Sequence, residues 1–315
     1  MSKYRVFYDL FATAAAESPH VESFNIRKKS GKIEGRTFAQ LHDLVSSLAA
    51  GLVSSGIQPG DSITLLCDSS PNWIIADAGI IASGAVSVPR GTDVTDDDIL
   101  YIIGHSESRW AIVQQNKDRE RLLKFQKDLP KLEKILVLED ADFNLAAGQN
   151  TVEELFSAGR TALQSNTNLV RDIAGKADPG QMATIIYTSG TTGAPKGVML
   201  NQTGWLNALE RALSMNIIVK SDTALSLLPP WHAFERAVEY GVVMAQCQFM
   251  ISGITNLRQD LAEFKPTSFP SVPRIWESLY NGILQKLEKE PPVKKAIFNF
   301  FLEVGAQYSK FEAIL

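Results

Sequence analysis

The stretch Asp61-Ser62-Ile63-Thr64-Leu65-Leu66-Cys67, followed by Pro71, the apolar run Trp73 to Ala82 and then Ala85-Val86-Ser87-Val88, reads as one parallel βαβ unit. Two short apolar runs flank a longer one, and a proline stands where a first helical turn would begin. Working outward, Thr37 is a candidate N-cap for a helix whose apolar face runs Phe38, Leu41, Leu44, Val45, Leu48 and Leu52, closed by Gly56. Further strand-like runs follow at Trp110 to Val113 and Lys134 to Leu138, each separated by a helical segment. Gly175 to Gly180 is the best internal boundary, so we expect one α/β lobe over residues 1–176 and a second over 177–315. The alternation resumes in the second lobe at Thr184 to Tyr187, Val198 to Leu200, Ala224 to Leu228, Phe249 to Ser252 and Thr267 to Phe269. Short strands alternating with helices predict an α/β fold.

Composition narrows the function. The 315 residues are 45% hydrophobic and 21% charged, with net charge −4 and no basic tract, which argues against a nucleic-acid partner. Cys67 and Cys247 each sit in an apolar run. Two distant cysteines define no disulfide framework, so buried thiols in a reducing cytosol are expected. No run approaches the ~20 apolar residues of a membrane span, and Asp9 interrupts the apolar N-terminal segment. That segment reads as an amphipathic helix. Asp96, Asp97 and Asp98 after Thr95 suit a helix start and lack metal-loop spacing, so no metal ligand is assigned. From Val293 onward apolar residues recur at helical spacing and are still recurring at Leu315, which favours a truncated chain. The phenylalanine-rich Ala296 to Leu302 admits peripheral membrane contact, though a core face is preferred.

The chemistry is concentrated in Tyr187-Thr188-Ser189-Gly190-Thr191-Thr192-Gly193-Ala194-Pro195-Lys196-Gly197. Glycines let successive backbone N–H groups converge on an anion, hydroxyls add donors, and Lys196 adds a point charge. It is not a Walker A loop, because Pro195 precedes the lysine and a strand follows. The block resembles the phosphate loop of the adenylate-forming superfamily. Leu228-Pro229-Pro230-Trp231-His232-Ala233-Phe234-Glu235-Arg236 resembles the next motif in the long-chain fatty-acid branch. Val88 to Asp93 and Ser271 to Glu277 are similar to blocks of long-chain acyl-CoA and acyl-acyl-carrier-protein synthetases. The likeness covers nearly all of the chain and about the first half of a typical member.

That resemblance implies the layered βαβ sub-lobes of the large N-terminal domain of adenylate-forming enzymes, cut before the C-terminal domain. It implies that Thr188, Ser189, Gly190, Thr191, Thr192, Gly193 and Lys196 hold the phosphates of ATP, bridged by Mg2+. It places His232 near the acyl-adenylate as the catalytic candidate, and Trp231 and Phe234 at the fatty acid, with lining of an acyl tunnel and plain core equally open. Glu235 and Arg236 read as structural or surface charges. The implied reaction joins ATP and a long-chain fatty acid to an acyl-adenylate, then passes the acyl group to coenzyme A or acyl carrier protein. The adenine, hinge and mobile-domain blocks do not occur before Leu315, so an inactive fragment is expected. A non-catalytic nucleotide- or fatty-acid-binding module is the alternative, and a hydrolytic NTPase a weaker one.

Overall fold

Residues 3–188 and 194–312 are described by the computed structural model. The first helix, α1 (Phe7–Glu17), leads into a hairpin of β1 (Glu22–Arg27) and β2 (Ile33–Thr37). There follow α2 (Phe38–Ser54), β3 (Ser62–Leu66), α3 (Trp73–Ala82), β4 (Val86–Arg90), α4 (Asp96–His105), β5 (Trp110–Val113), α5 (Asn116–Leu123) and β6 (Lys134–Val137). Next come α6 (Val152–Ser165), α7 (Leu169–Lys176), β7 (Met182–Thr188), β8 (Lys196–Asn201), α8 (Gln202–Ser214), β9 (Thr223–Ser226) and α9 (Ala233–Ala245). The chain continues with β10 (Gln248–Ile251), α10 (Leu257–Phe264), α11 (Pro273–Leu287) and α12 (Pro292–Glu312). This is the expected α/β fold.

The strands form two sheets. One has the order β6-β5-β3-β4-β7-β8, parallel except for the final β7–β8 pair. The other has the order β2-β1-β10-β9, with only the β1–β2 pair antiparallel. Both sheets draw strands from either side of Lys176, so the lobe boundary expected there does not separate them. The physical reason is pairing in space: β7 lies against β4, and β1 against β10, across long sequence separations. The chain divides instead into compact units at residues 1–270 and 271–315. The expected strand at Thr267 to Phe269 is reduced to a single bridge between Ser268 and Ala224. Pro266 and Pro270 bracket it, and proline offers the ladder no N–H.

Local signals explain the elements around the site. Thr37 caps α2 through its hydroxyl, which accepts from the Gln40 amide at 3.2 Å, while the Gln40 side chain accepts from the Thr37 amide at 2.9 Å. Thr95 caps α4 in the same way, accepting from the Asp98 amide, with three aspartates in the first turn. All ten residues of α3 are buried, because the helix lies under neighbours on every side. Against α6, α2 comes into backbone contact. A Cβ on Gly159 would overlap the Ser47 carbonyl oxygen, and one on Gly51 would overlap that of Leu155. Gly159→Ala is therefore expected to cost about 1–3 kcal/mol by overpacking, seen as a lowered chemical-denaturation midpoint; an unchanged midpoint would show that the two helices can separate freely.

Cys67 and Cys247 are buried and free. Among the described residues no helix is long and apolar enough to cross a membrane. In the unit 271–315, α11 carries exposed Trp276, Tyr280 and Ile283, and α12 carries exposed Ile297, Phe300 and Phe301.

Candidate functional site

Parallel strands end on a common edge, and that edge is where α/β sheets bind ligands. Ser87 of β4 pairs with Thr184 of β7, which brings the carboxyl ends of these two strands side by side. At the end of β7, Thr188 faces Lys196 across the antiparallel pair with β8, and both residues are exposed. The predicted phosphate-loop residues between them, Ser189, Gly190, Thr191, Thr192 and Gly193, lie outside the described residues. Just before the loop the strand is anchored. Tyr187 is buried, and its hydroxyl meets His105 Nδ1 of α4 at 2.7 Å. Burial first, then Tyr101, pushes the Tyr187 phenol up to about 12, so it stays protonated.

The second motif reaches the same edge from the other sheet. After β9, Pro229 and Pro230 turn the chain into Trp231 and His232, and His232 is the N-cap of α9. Trp231 lies against Gly91, at the end of β4; a Cβ on Gly91 would overlap its indole ring. The blocks at 88–93 and 228–236 thus form one corner. Asp68 fixes the loop after β4 by accepting from the Thr92 amide at 2.9 Å and its hydroxyl at 2.5 Å. Loss of solvent, then the positive charge of Arg90, hold the His232 imidazole below its ordinary range, against an opposing Asp93. The ring is therefore neutral near pH 7. The Arg90 Nε is buried and has no hydrogen-bond partner among the described residues.

Beneath this corner lies a charge network that sequence reasoning missed. Arg236, one turn into α9, donates from Nε to Asp77 Oδ2 at 3.0 Å and from Nη2 to Asp77 Oδ1 at 2.8 Å. Its Nη1 donates to Thr184 Oγ1 at 2.6 Å, and Thr184 in turn donates to the Ser87 carbonyl. Ser87 and Tyr240 hydroxyls complete the Asp77 shell at 2.6 Å each. Asp77 is 0% and Arg236 1% exposed, which settles the open reading of Arg236 as structural rather than surface. Glu235 is also buried; its carboxyl receives the Ser226 hydroxyl at 2.6 Å. One signal was available. Asp77 is the only charged residue of the otherwise apolar Trp73–Ala82 run, and such a charge demands a partner.

Beside the corner, α8 and α9 enclose an apolar groove of about 600 Å3. Its width has a sequence cause. Gly204, Ala208 and Ala212 recur every fourth residue on α8, and Ala233, Ala237 and Gly241 do so on α9, so each set shares one helix face. Trp205, Leu209 and Val238 add bulk at the sides. Phe234 lines the groove and is 54% exposed, whereas Trp231 is packed on Gly91 and does not line it. The Trp205 ring separates groove from charge: the Arg236 guanidinium lies 5.3 Å from its centroid.

The α/β fold sets a strand hairpin at Thr188–Lys196, the Trp231–Gly91 corner and an apolar groove between α8 and α9. Comparison with known proteins identifies the family. The AMP-binding enzyme profile matches residues 11–308, and this chain belongs to that family. It is 31% identical over 286 residues to the probable acyl-activating enzyme 16, chloroplastic, of Arabidopsis thaliana, covering 88% of this chain and 40% of that protein. It is 30% identical to the Arabidopsis long-chain-fatty-acid–[acyl-carrier-protein] ligase AEE15, chloroplastic, covering 88% of this chain and 39% of that one. The chain thus spans about 40% of the length of these curated relatives. Its fold superposes on a long-chain-fatty-acid-CoA ligase from Archaeoglobus fulgidus with a TM-score of 0.75 at 18% identity, covering 92% of this chain and 55% of the other. That likeness concerns the fold alone.

Proposed function

We propose that this chain is the ATP- and fatty-acid-binding portion of an AMP-forming long-chain fatty acid ligase. One observation carries the reading: β4 joins the two sites, pairing with the strand that enters the Thr188–Lys196 hairpin and touching the Trp231–His232 corner through Gly91. A polyphosphate on the hairpin and an acyl tail in the groove then meet at one sheet edge.

The proposed reaction needs alignment more than acid–base chemistry. A fatty carboxylate, with pKa about 4–5, is already ionised at pH 7. One of its oxygens attacks the α-phosphorus of ATP, and the bond to pyrophosphate breaks. A thiol of coenzyme A or acyl carrier protein then attacks the acyl carbonyl, and AMP leaves. In the first step two anions must be brought together, so positive charge and fixed donors lower the barrier. Thr188, the residues 189–193 and Lys196 are assigned to the phosphates. Neutral His232 is assigned to orienting the carboxylate, and Phe234 to the entering acyl chain. Mg2+ is bound mainly through phosphate oxygens and water in such sites. It would neutralise phosphate charge beside Lys196. These residues are assigned the binding of ATP and the acyl chain, and the chain spans about 40% of the length of its curated relatives. The same reading places the protein in the cytosol, where Cys67 and Cys247 stay reduced, with Phe300 and Phe301 available to a membrane surface.

Calorimetry of the 315-residue chain with ATP·Mg and hexadecanoate tests the assignment. Lys196→Ala should weaken ATP by roughly tenfold or more, the worth of one charge-assisted contact, and leave hexadecanoate unchanged. Equal ATP affinity in the variant would reject the hairpin as the phosphate site.

A further inference from the structure

The groove between α8 and α9 contains a glycine that the backbone does not require. Gly241 lies inside α9, on the groove wall, with no left-handed φ to demand a missing side chain. Glycine at such a position costs a helix about 1 kcal/mol relative to alanine. Tight packing does not explain it either. Although Gly241 is buried, a Cβ built on it would meet nothing within 4 Å. Contrast Gly51 and Gly159, which are glycine because a neighbouring backbone occupies the Cβ position. What the absent side chain leaves at Gly241 is open volume in the groove.

Its place along the helix gives that volume a meaning. Exposure falls along the α9 side of the groove, from exposed Ala233 through half-buried Ala237 to buried Gly241. His232 stands at the open end as the N-cap. Nine residues at 1.5 Å rise put Gly241 about 13 Å down the helix from it. We infer that Gly241 sets how far a hydrocarbon tail reaches into the groove and so determines the preference for acyl length. This rests on the reading of the groove as the acyl site. A tail that passes Ala237 buries its last methylenes where a side chain at 241 would stand. Each methylene denied burial costs about 0.8 kcal/mol, or roughly fourfold in affinity.

The test is fatty-acid binding by the 315-residue chain, with decanoate, shorter than the span to Gly241, and hexadecanoate, longer than it. Gly241→Ala should fold at least as well as the parent, and lose roughly fourfold in hexadecanoate affinity. Gly241→Leu, excluding about three methylenes, should lose on the order of fifty-fold for hexadecanoate and less than about twofold for decanoate. Gly104→Leu, at an exposed helical glycine whose Cβ is also unobstructed, should leave both affinities unchanged. An unchanged ratio of the two affinities in Gly241→Leu overturns the inference while leaving the acyl groove in place. So does an equal loss in Gly104→Leu. Failure of the parent chain to bind either fatty acid overturns the acyl reading itself, and this inference with it.

Discussion

Arg236→Met is expected to lower the Tm of the chain by on the order of 10 °C. The guanidinium is 1% exposed and forms two hydrogen bonds with Asp77, which is 0% exposed. Removing one partner of a buried pair strands the other charge, at about 3–5 kcal/mol, and for a domain of this size each kcal/mol moves Tm by roughly 2–4 °C. The pair itself need not be worth that much, because its own desolvation offsets most of the attraction. The double variant Asp77→Leu with Arg236→Met should therefore recover part of the loss. The remainder reflects Ser87, Thr184 and Tyr240 hydroxyls left without their partners. If the double variant melts no higher than the single one, the stranded charge is not the cause. The effect bears on function because Arg236 ties together α9, one turn beyond His232, and β7, which leads to Thr188.

The second large effect is a loss of stability with rising pH. Burial, opposed by the Ser226 hydroxyl, pushes the Glu235 carboxyl up to about 8. Glu239, one turn further along α9, is buried with both carboxyl oxygens lacking hydrogen-bond partners among the described residues. Burial, then the negative charges of Glu235 and Asp77, push it well above the usual carboxylate range, against Arg236. Both acids are neutral in the fold, while in the unfolded chain they ionise near pH 4.3. The sign follows from linkage. The folded state holds its protons more tightly, so this contribution is complete below about pH 4 and is lost as pH rises. For Glu235 the loss is complete only near pH 8, and at pH 7 it amounts to on the order of 3 kcal/mol. Glu235→Gln with Glu239→Gln keeps both shapes and removes both ionisations. The double variant should be more stable than the parent at pH 8, with the difference closing toward pH 4. Parallel stability–pH curves for the two proteins would refute the neutral-acid assignment.

Much of this molecule was legible in one dimension. The Thr37 cap, the α/β alternation from β3 to β6 and the acidic start of α4 all depend on residues close in sequence. The two motif blocks were legible for the same reason: loop chemistry requires particular residue types at short spacing. The β1–β2 hairpin was not. Its strands, Glu-Ser-Phe-Asn-Ile-Arg and Ile-Glu-Gly-Arg-Thr, are polar, and β1 is held by pairing with β10 more than two hundred residues away. The groove was missed because its signal is negative. Small residues every fourth position look unremarkable on either helix alone.

The amino-acid order determined which segments become helices and strands, where the Gly/Ser/Thr-rich motif lies, and the family to which the chain belongs. Only the tertiary structure decided that Asp77 and Arg236 would meet and that Trp231 would rest on Gly91. It alone decided that Gly204, Ala208 and Ala212 would face Ala233, Ala237 and Gly241 across a cavity. Hydrogen bonding within a turn or cap depends on neighbours a few residues apart. Desolvation, charge pairing and empty volume depend on what the rest of the chain brings alongside, and no local pattern encodes that.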